Sequence, residues 1–198
     1  MKNLPLFTTT IWKSELPEFE NLENKFLEET KKFRENNPIS SGYSNVNGYE
    51  SPNGIHTIKE FSPLFDYVAM MANQACEDLN FIDRNIAITS SWVNIADSRS
   101  SMNNYHTHEH TFSGVFYLKV PKDSGKLCIR NDAINPLWDG NKLIQQKTST
   151  NASSVKIEPV EGEITLFPSY LPHSVETNLH DDERISISFN IIAFPKSE

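Results

Sequence analysis

The sequence is poor in cysteine, in positive charge and in long apolar runs. It carries two cysteines, Cys76 and Cys128, in 198 residues. Two thiols cannot build a disulfide framework or a zinc-finger ligand set. They read as free thiols of a reducing cytoplasm. Lysine and arginine number 18 against 26 aspartates and glutamates, a net charge of -8. General nucleic-acid binding needs a basic face, so that class is set aside; a local basic pocket stays compatible. No stretch nears the ~20 apolar residues that span a bilayer, so no membrane partner is expected. The N-terminus MKNLPLFTTT lacks the apolar core of a secretion signal. What is present suits a globular chain: 37% hydrophobic and 11% aromatic residues, in a length that fits one domain with a real core.

The pattern divides near residue 85. Before it, Phe7 to Trp12 reads as a first strand. Glu18 to Arg34 reads as a helix, with Phe19, Leu22, Phe26 and Phe33 at helical spacing and Asn36-Asn37-Pro38 as its stop. A second helix starts at Ser62-Pro63, a cap residue followed by proline, with Leu64, Val68, Met71, Ala75 and Leu79 as its buried stripe. After it come short strands bounded by Gly, Pro and Asn: 86–95, 113–120, 126–130, 155–158, 163–167, 173–176 and 184–194. This predicts a mainly β, α+β chain: one domain over 1–198, with a helical layer (1–85) on a sandwich or barrel core (86–194). The polar excursion Asp132 to Ser153 is long enough to be a lid or an exposed insertion.

Strand side chains alternate faces. In ERISISFNIIAF this puts Arg184, Ser186, Ser188 and Asn190 on one side and Ile185, Ile187, Phe189 and Ile191 on the other. Ser113, Val115, Tyr117 and Lys119 share a face, as do Ser90, Trp92 and Asn94. Polar faces on several strands fit either a wet surface or a lumen that holds a polar ligand, with the apolar faces under the helices.

Of six histidines, His106, His108 and His110 fall in one segment, NNYHTHEHTF. His106 and His108 point the same way in an extended chain, which is chelating geometry. His173 is the candidate third ligand. Three side chains on one face of an octahedron leave positions open, the arrangement of non-haem iron(II) oxygenases; zinc is the competing metal. Arg184 with Ser186 forms an anion-binding pair suited to a carboxylate. A metal at one strand end and a carboxylate clamp on the next imply a cosubstrate with two acidic ends, and 2-oxoglutarate is such a molecule. Tyr117 and Asn94 are candidates for further hydrogen bonds to it. His110, His56 and His180 read as exposed or solvated.

These residues carry a family resemblance. His106-Thr-His108, Ser113-Gly114-Val115-Phe116-Tyr117-Leu118 and Ser124-Gly125-Lys126-Leu127 resemble the phrases of the 2-oxoglutarate- and iron(II)-dependent oxygenases of bacteria and phages. So do Ser91-Trp92-Val93-Asn94, Pro159-Val160-Glu161-Gly162, Leu166-Phe167-Pro168, and Arg184-Ile185-Ser186 leading to Phe189-Asn190. Ser44-Asn45 with Gly48-Tyr49-Glu50-Ser51 looks like that family's S-N-x-x-G-[WY]-x-S. The resemblance implies a double-stranded β-helix (jelly roll) with the two helices packed on one sheet, as in prolyl hydroxylases. It implies a dioxygenase, a hydroxylase, that uses iron(II), 2-oxoglutarate and dioxygen and couples oxidative decarboxylation of the keto acid to substrate oxidation. His106 and His173 are the implied iron ligands. Position 108, where related oxygenases usually carry Asp or Glu, is His; His108 is taken as the second ligand and Glu109 as its reserve. Trp92, Asn104 and Tyr105 are candidates to face the substrate or support the ligands. Two alternatives stay open: a three-histidine metal dioxygenase without 2-oxoglutarate, and a non-enzymatic jelly-roll binding module. The substrate is open between protein, peptide and small molecule, and the oligomeric state extends to a homodimer. The many Asn, Lys and Ile residues fit an AT-rich genome such as a phage's, and the expected location is the cytoplasm of a bacterium or infected host.

Overall fold

Alternation along Arg184–Pro195 is what builds the fold. Ile185, Ile187, Phe189 and Ile191 are buried on one side, and Arg184, Ser186 and Asn190 on the other. A strand buried on both faces must lie in the middle of the molecule. The computed structural model describes residues 8–97, 99–132, 146, 148 and 151–196. Its elements are β1 (Trp12–Glu15), α1 (Phe19–Asn36), β2 (Asn45–Val46), β3 (Tyr49–Glu50), two 3-10 turns (Ile55–Thr57 and Lys59–Phe61) and α2 (Ser62–Asp78), followed by eight strands. These are β4 (Arg84–Ala96), β5 (Met102–His106), β6 (Phe112–Lys119), β7 (Leu127–Arg130), β8 (Ser154–Ile157), β9 (Glu163–Pro168), β10 (His173–Val175) and β11 (Arg184–Pro195).

The strands form two sheets, in the orders β1-β9-β6-β11-β4-β3 and β2-β5-β10-β7-β8. The inner faces meet where Phe167 of the first sheet packs with Leu127, Ile129 and Ile157 of the second. This is the jelly roll expected from the sequence, with both helices on the outside of the larger sheet. There, Leu64, Val68, Met71, Ala72, Ala75 and Cys76 of α2 share one buried core with Ile187, Phe189 and Ile191, and Phe65 meets Phe189 edge-on at 6.4 Å. From α1, Phe26 stacks on Phe61 at 4.9 Å and meets Phe116 edge-on at 6.2 Å. Each such apolar side chain contributes roughly 1.5–3 kcal/mol when taken fully out of water. Because this core lies on the outer face, the inner face is left for polar work.

Several local expectations shift. The first described strand is Trp12–Glu15, held in register by Glu163–Leu166 of β9 and by a Lys13–Glu163 ion pair of 2.7 Å. Ser62 is the first helical residue rather than the cap. Phe61 takes the cap position without a side-chain cap bond, and Pro63 sits in the first turn. The buried stripe of α2 ends before Leu79, which lies past the last turn and is 41% exposed. Cys76 and Cys128 are free and buried. Of the 132–153 excursion, residues 133–145, 147, 149 and 150 lie outside the described residues, and with them the lid expectation.

Candidate metal centre

Strand β5, rich in asparagine and without an apolar alternation, carries no strand signal of its own. It forms because β10 and β2 pair with it from either side. That pairing sets His106 directly opposite His173. His108 follows β5 two residues on, its backbone N–H donating to the Ser169 carbonyl at 3.1 Å. The three rings converge, with centroids 4.3 Å apart for His106 and His173, 4.9 Å for His106 and His108, and 5.3 Å for His108 and His173. Their ring nitrogens lie within 4.8 Å of one another, a group that could hold one metal ion.

Two of the rings are held in one tautomer by the main chain. Nδ1 of His106 meets the Asn104 carbonyl at 2.7 Å, and Nδ1 of His173 meets the Leu171 carbonyl at 2.8 Å. A carbonyl only accepts, so each Nδ1 carries the proton and each Nε2 keeps its lone pair for a metal. Burial pushes the His173 imidazole down to about 3 and the His108 imidazole down to about 4, with the neighbouring rings adding to both shifts. At neutral pH both rings are uncharged, the form that ligates. Phe167 stands edge-on to His173 at 4.8 Å, and the Trp92 ring lies 5.9 Å from His108.

The cavity beneath the rings is lined by inward residues of both sheets, among them Tyr117, Arg184, Ser186, Ser188 and Asn190. Arg184 is 3% exposed. It donates to the carbonyls of Ser124 at 3.2 Å and Gly125 at 3.1 Å, but its Nε is buried without a partner. Among the described residues no carboxylate pairs with it. Burial works against its charge, and an unpaired buried guanidinium is costly. Ser186 sits in register between Tyr117 on β6 and Asn94 on β4. Burial pushes the Tyr117 phenol up, so it is a hydrogen-bond donor at any working pH. A diacid that reached from the three imidazoles to Arg184 would satisfy both ends. The donor set therefore fits a metal, and the orphaned guanidinium fits an anion.

The other candidate residues are placed as follows. Asn94 shares the inward face and donates to Ser188 Oγ at 2.9 Å, but it does not line the cavity. Glu109 is exposed and stands outside the three-histidine group. Asn104 and Tyr105 are exposed on β5 and line a groove away from the rings; Asn104 reaches the centre through its carbonyl, and Tyr105 lies under the Arg130 guanidinium at 4.9 Å. His180 is exposed. His110 is half-buried rather than exposed, with its ring 6.5 Å from that of His108. His56 is not solvated either. It sits in a 3-10 turn with Nδ1 2.8 Å from Ser91 Oγ and its ring edge-on to Phe65. Sequence reasoning missed a buried polar chain in which Ser113 bridges Ser169 at 2.8 Å and Asn190 at 2.7 Å. Its signal was the same alternation that exposed Arg184.

Three convergent imidazoles that could hold a metal, and a buried guanidinium in the same cavity of a jelly roll, point to one class. Comparison with known proteins agrees. A family profile described as "Putative 2OG-Fe(II) oxygenase" matches residues 90–190. The chain belongs to this family, and so to the oxidoreductases that use iron(II), 2-oxoglutarate and dioxygen. No curated protein sequence is a significant match. Among solved structures, a Pseudomonas putida prolyl-4-hydroxylase is similar over 96% of this chain and 95% of its own, at 14% identity and a TM-score of 0.63. A Trichoplax adhaerens prolyl hydroxylase, in complex with a peptide fragment of the hypoxia inducible factor oxygen degradation domain, is similar over 93% and 84%, at 15% identity and a TM-score of 0.63. The α-ketoglutarate-dependent epimerase SnoN of nogalamycin biosynthesis is similar over 96% and 82%, at 12% identity and a TM-score of 0.68. At these identities the likeness is one of fold.

Proposed function

We propose that His106, His108 and His173 hold the iron(II), that Arg184 binds the far carboxylate of 2-oxoglutarate beside Ser186 and Tyr117, and that the enzyme hydroxylates a peptide or small organic substrate. The observation that carries this reading is the buried, unpaired Arg184 on the wall of the cavity that the three rings close. When bound, iron(II) with the keto acid supplies dioxygen activation coupled to oxidative decarboxylation. The chain's own residues do the rest. The Asn104 and Leu171 carbonyls lock two imidazoles so that their Nε2 atoms face the cavity. The Ser124 and Gly125 carbonyls hold the Arg184 fork in place before any ligand arrives, which removes ordering cost at binding. Trp92 and Phe167 wall the rings and restrict water. The reading places the enzyme in the cytoplasm of a bacterium or infected host, which cell fractionation tests.

The functional test is anaerobic titration of untagged protein with iron(II) and then 2-oxoglutarate. Joint binding gives a weak visible charge-transfer band, and admitting air gives succinate even without a prime substrate. Metal binding with neither band nor 2-oxoglutarate-dependent stabilisation would favour the three-histidine dioxygenase instead. No divalent metal bound at all would favour the binding module.

A further inference from the structure

A second cavity adjoins the first, with Ser44, Trp92, His106, His108 and Asn190 lining both, and with neither His173 nor Arg184 in its wall. A molecule in it lies against the metal ligands and away from Arg184. That is where a substrate must sit if the reading above holds. The wall is made of hydroxyl, amide and aromatic groups, with one acidic side chain and no lysine or arginine among the described residues. The acid is Glu50.

Glu50 is 4% exposed, and its Oε2 is buried without a hydrogen-bond partner. A main-chain bond from its own N–H to Ser40 Oγ at 3.0 Å and pairing with Asn94 fix the backbone that carries it. The backbone N–H groups of Ser44, Tyr43 and Asn45 face the carboxyl, yet burial outweighs them and pushes its pKa up. Arg34, which lies over the ring of the adjacent Tyr49, is engaged elsewhere, paired with Asp97 at 2.6 Å. A carboxyl kept from water with one oxygen unsatisfied is unfavourable unless a donor reaches it. Tyr43, 88% exposed, adds an aromatic face to the same cavity, which suits a cation. The net charge of -8 draws cations toward the molecule.

We propose that Glu50 orients the prime substrate, and that the substrate presents a cationic nitrogen, an ammonium or guanidinium, to it. This rests on the oxygenase reading and names the substrate class for the same site. Glu50 forms no bond to the reacting atoms; it is a positioning residue.

The test measures succinate formation by the iron(II)-loaded enzyme with N-acetyl-lysinamide, N-acetyl-argininamide and the neutral isostere N-acetyl-norleucinamide. At least one cationic probe should raise 2-oxoglutarate turnover several-fold over the probe-free rate, and the neutral isostere should not. Glu50→Gln should need at least tenfold more cation for the half-maximal rise, and Glu50→Asp should recover part of the response. The 2-oxoglutarate-induced thermal shift checks that each variant is folded and competent. Equal stimulation by the neutral isostere, no stimulation by either cation, or an unchanged response in Glu50→Gln overturns the proposal. Absence of both probe-free succinate and a 2-oxoglutarate thermal shift in the wild type would instead overturn the oxygenase reading beneath it.

Discussion

Replacing Arg184 by methionine separates binding from folding with opposite expectations. The guanidinium is buried, bonded to two carbonyls, and paired with no carboxylate among the described residues. In the ligand-free protein it is therefore a desolvated charge with weak compensation, and an apolar residue of similar length should be tolerated or welcome. Arg184→Met without ligand should melt within a few degrees of the wild type. With ligand the sign reverses. Truncating one partner of a buried, charge-assisted pair costs about 2–5 kcal/mol, which weakens 2-oxoglutarate by about 30-fold or more. At about 100 times the wild-type Kd, ligand binding stabilises the wild type by about 2.7 kcal/mol. For a chain of this size that is a rise of about 5–11 °C. A 30-fold weaker variant keeps less than about 1 kcal/mol, a rise of about 4 °C at most. Anaerobic melting curves with a redox-inert divalent metal and a 2-oxoglutarate series read both numbers. A variant that keeps the full shift would remove the clamp from the account, and the assignment of the cavity with it.

Alanine at His106 or His173 should weaken divalent metal at least about 100-fold, since each loss removes a ligand rather than an outer-shell partner; metal analysis of untagged protein checks it. Gly125 has φ +93, and an added Cβ would stand 2.2 Å from the Glu176 carbonyl oxygen. Gly125→Ala should cost about 3 kcal/mol, roughly 6–12 °C in melting, and should also weaken 2-oxoglutarate because the turn carries carbonyls that hold Arg184. Acid should destabilise the metal-free protein. His173 and His108 titrate near 3 and 4 when folded against an unfolded value of about 6.5. The unfolded chain thus binds more protons across that window, and stability present above about pH 6.5 is lost as pH falls through it. The melting temperature should drop between pH 6.5 and 4, and His173→Asn should drop less steeply; equal slopes would contradict the argument.

The larger sheet was legible because burial on both faces writes alternation into the sequence. Arg184, Ser186, Ser188 and Asn190 against Ile185, Ile187, Phe189 and Ile191 gives the strand and its two faces at once. The helices were legible from their aromatic and aliphatic spacing. Strand β5 was not, because its Asn-Asn-Tyr-His run has no strand preference and is held by neighbours on both sides. The convergence of the three imidazoles could be suspected from spacing, but the register that sets His106 against His173 belongs to tertiary pairing. The carbonyls that orient those rings leave no side-chain trace. Glu50 stood in a recognised phrase yet had no visible role until burial and a missing partner were known. His56 was misplaced as solvated because nothing local marks a turn that packs under Phe65.

The antiparallel partnership of His106 with His173 joins two points 67 positions apart along the chain. Side chains alternate with period two, so slippage by a single position would swing one imidazole to the opposite side of the sheet. A fragment that stops short of β10, like a misaligned chain, brings at most two of the three imidazoles together. Iron added during refolding should therefore reward only chains whose roll has already closed correctly, and its uptake can serve as a clock for the last step of assembly.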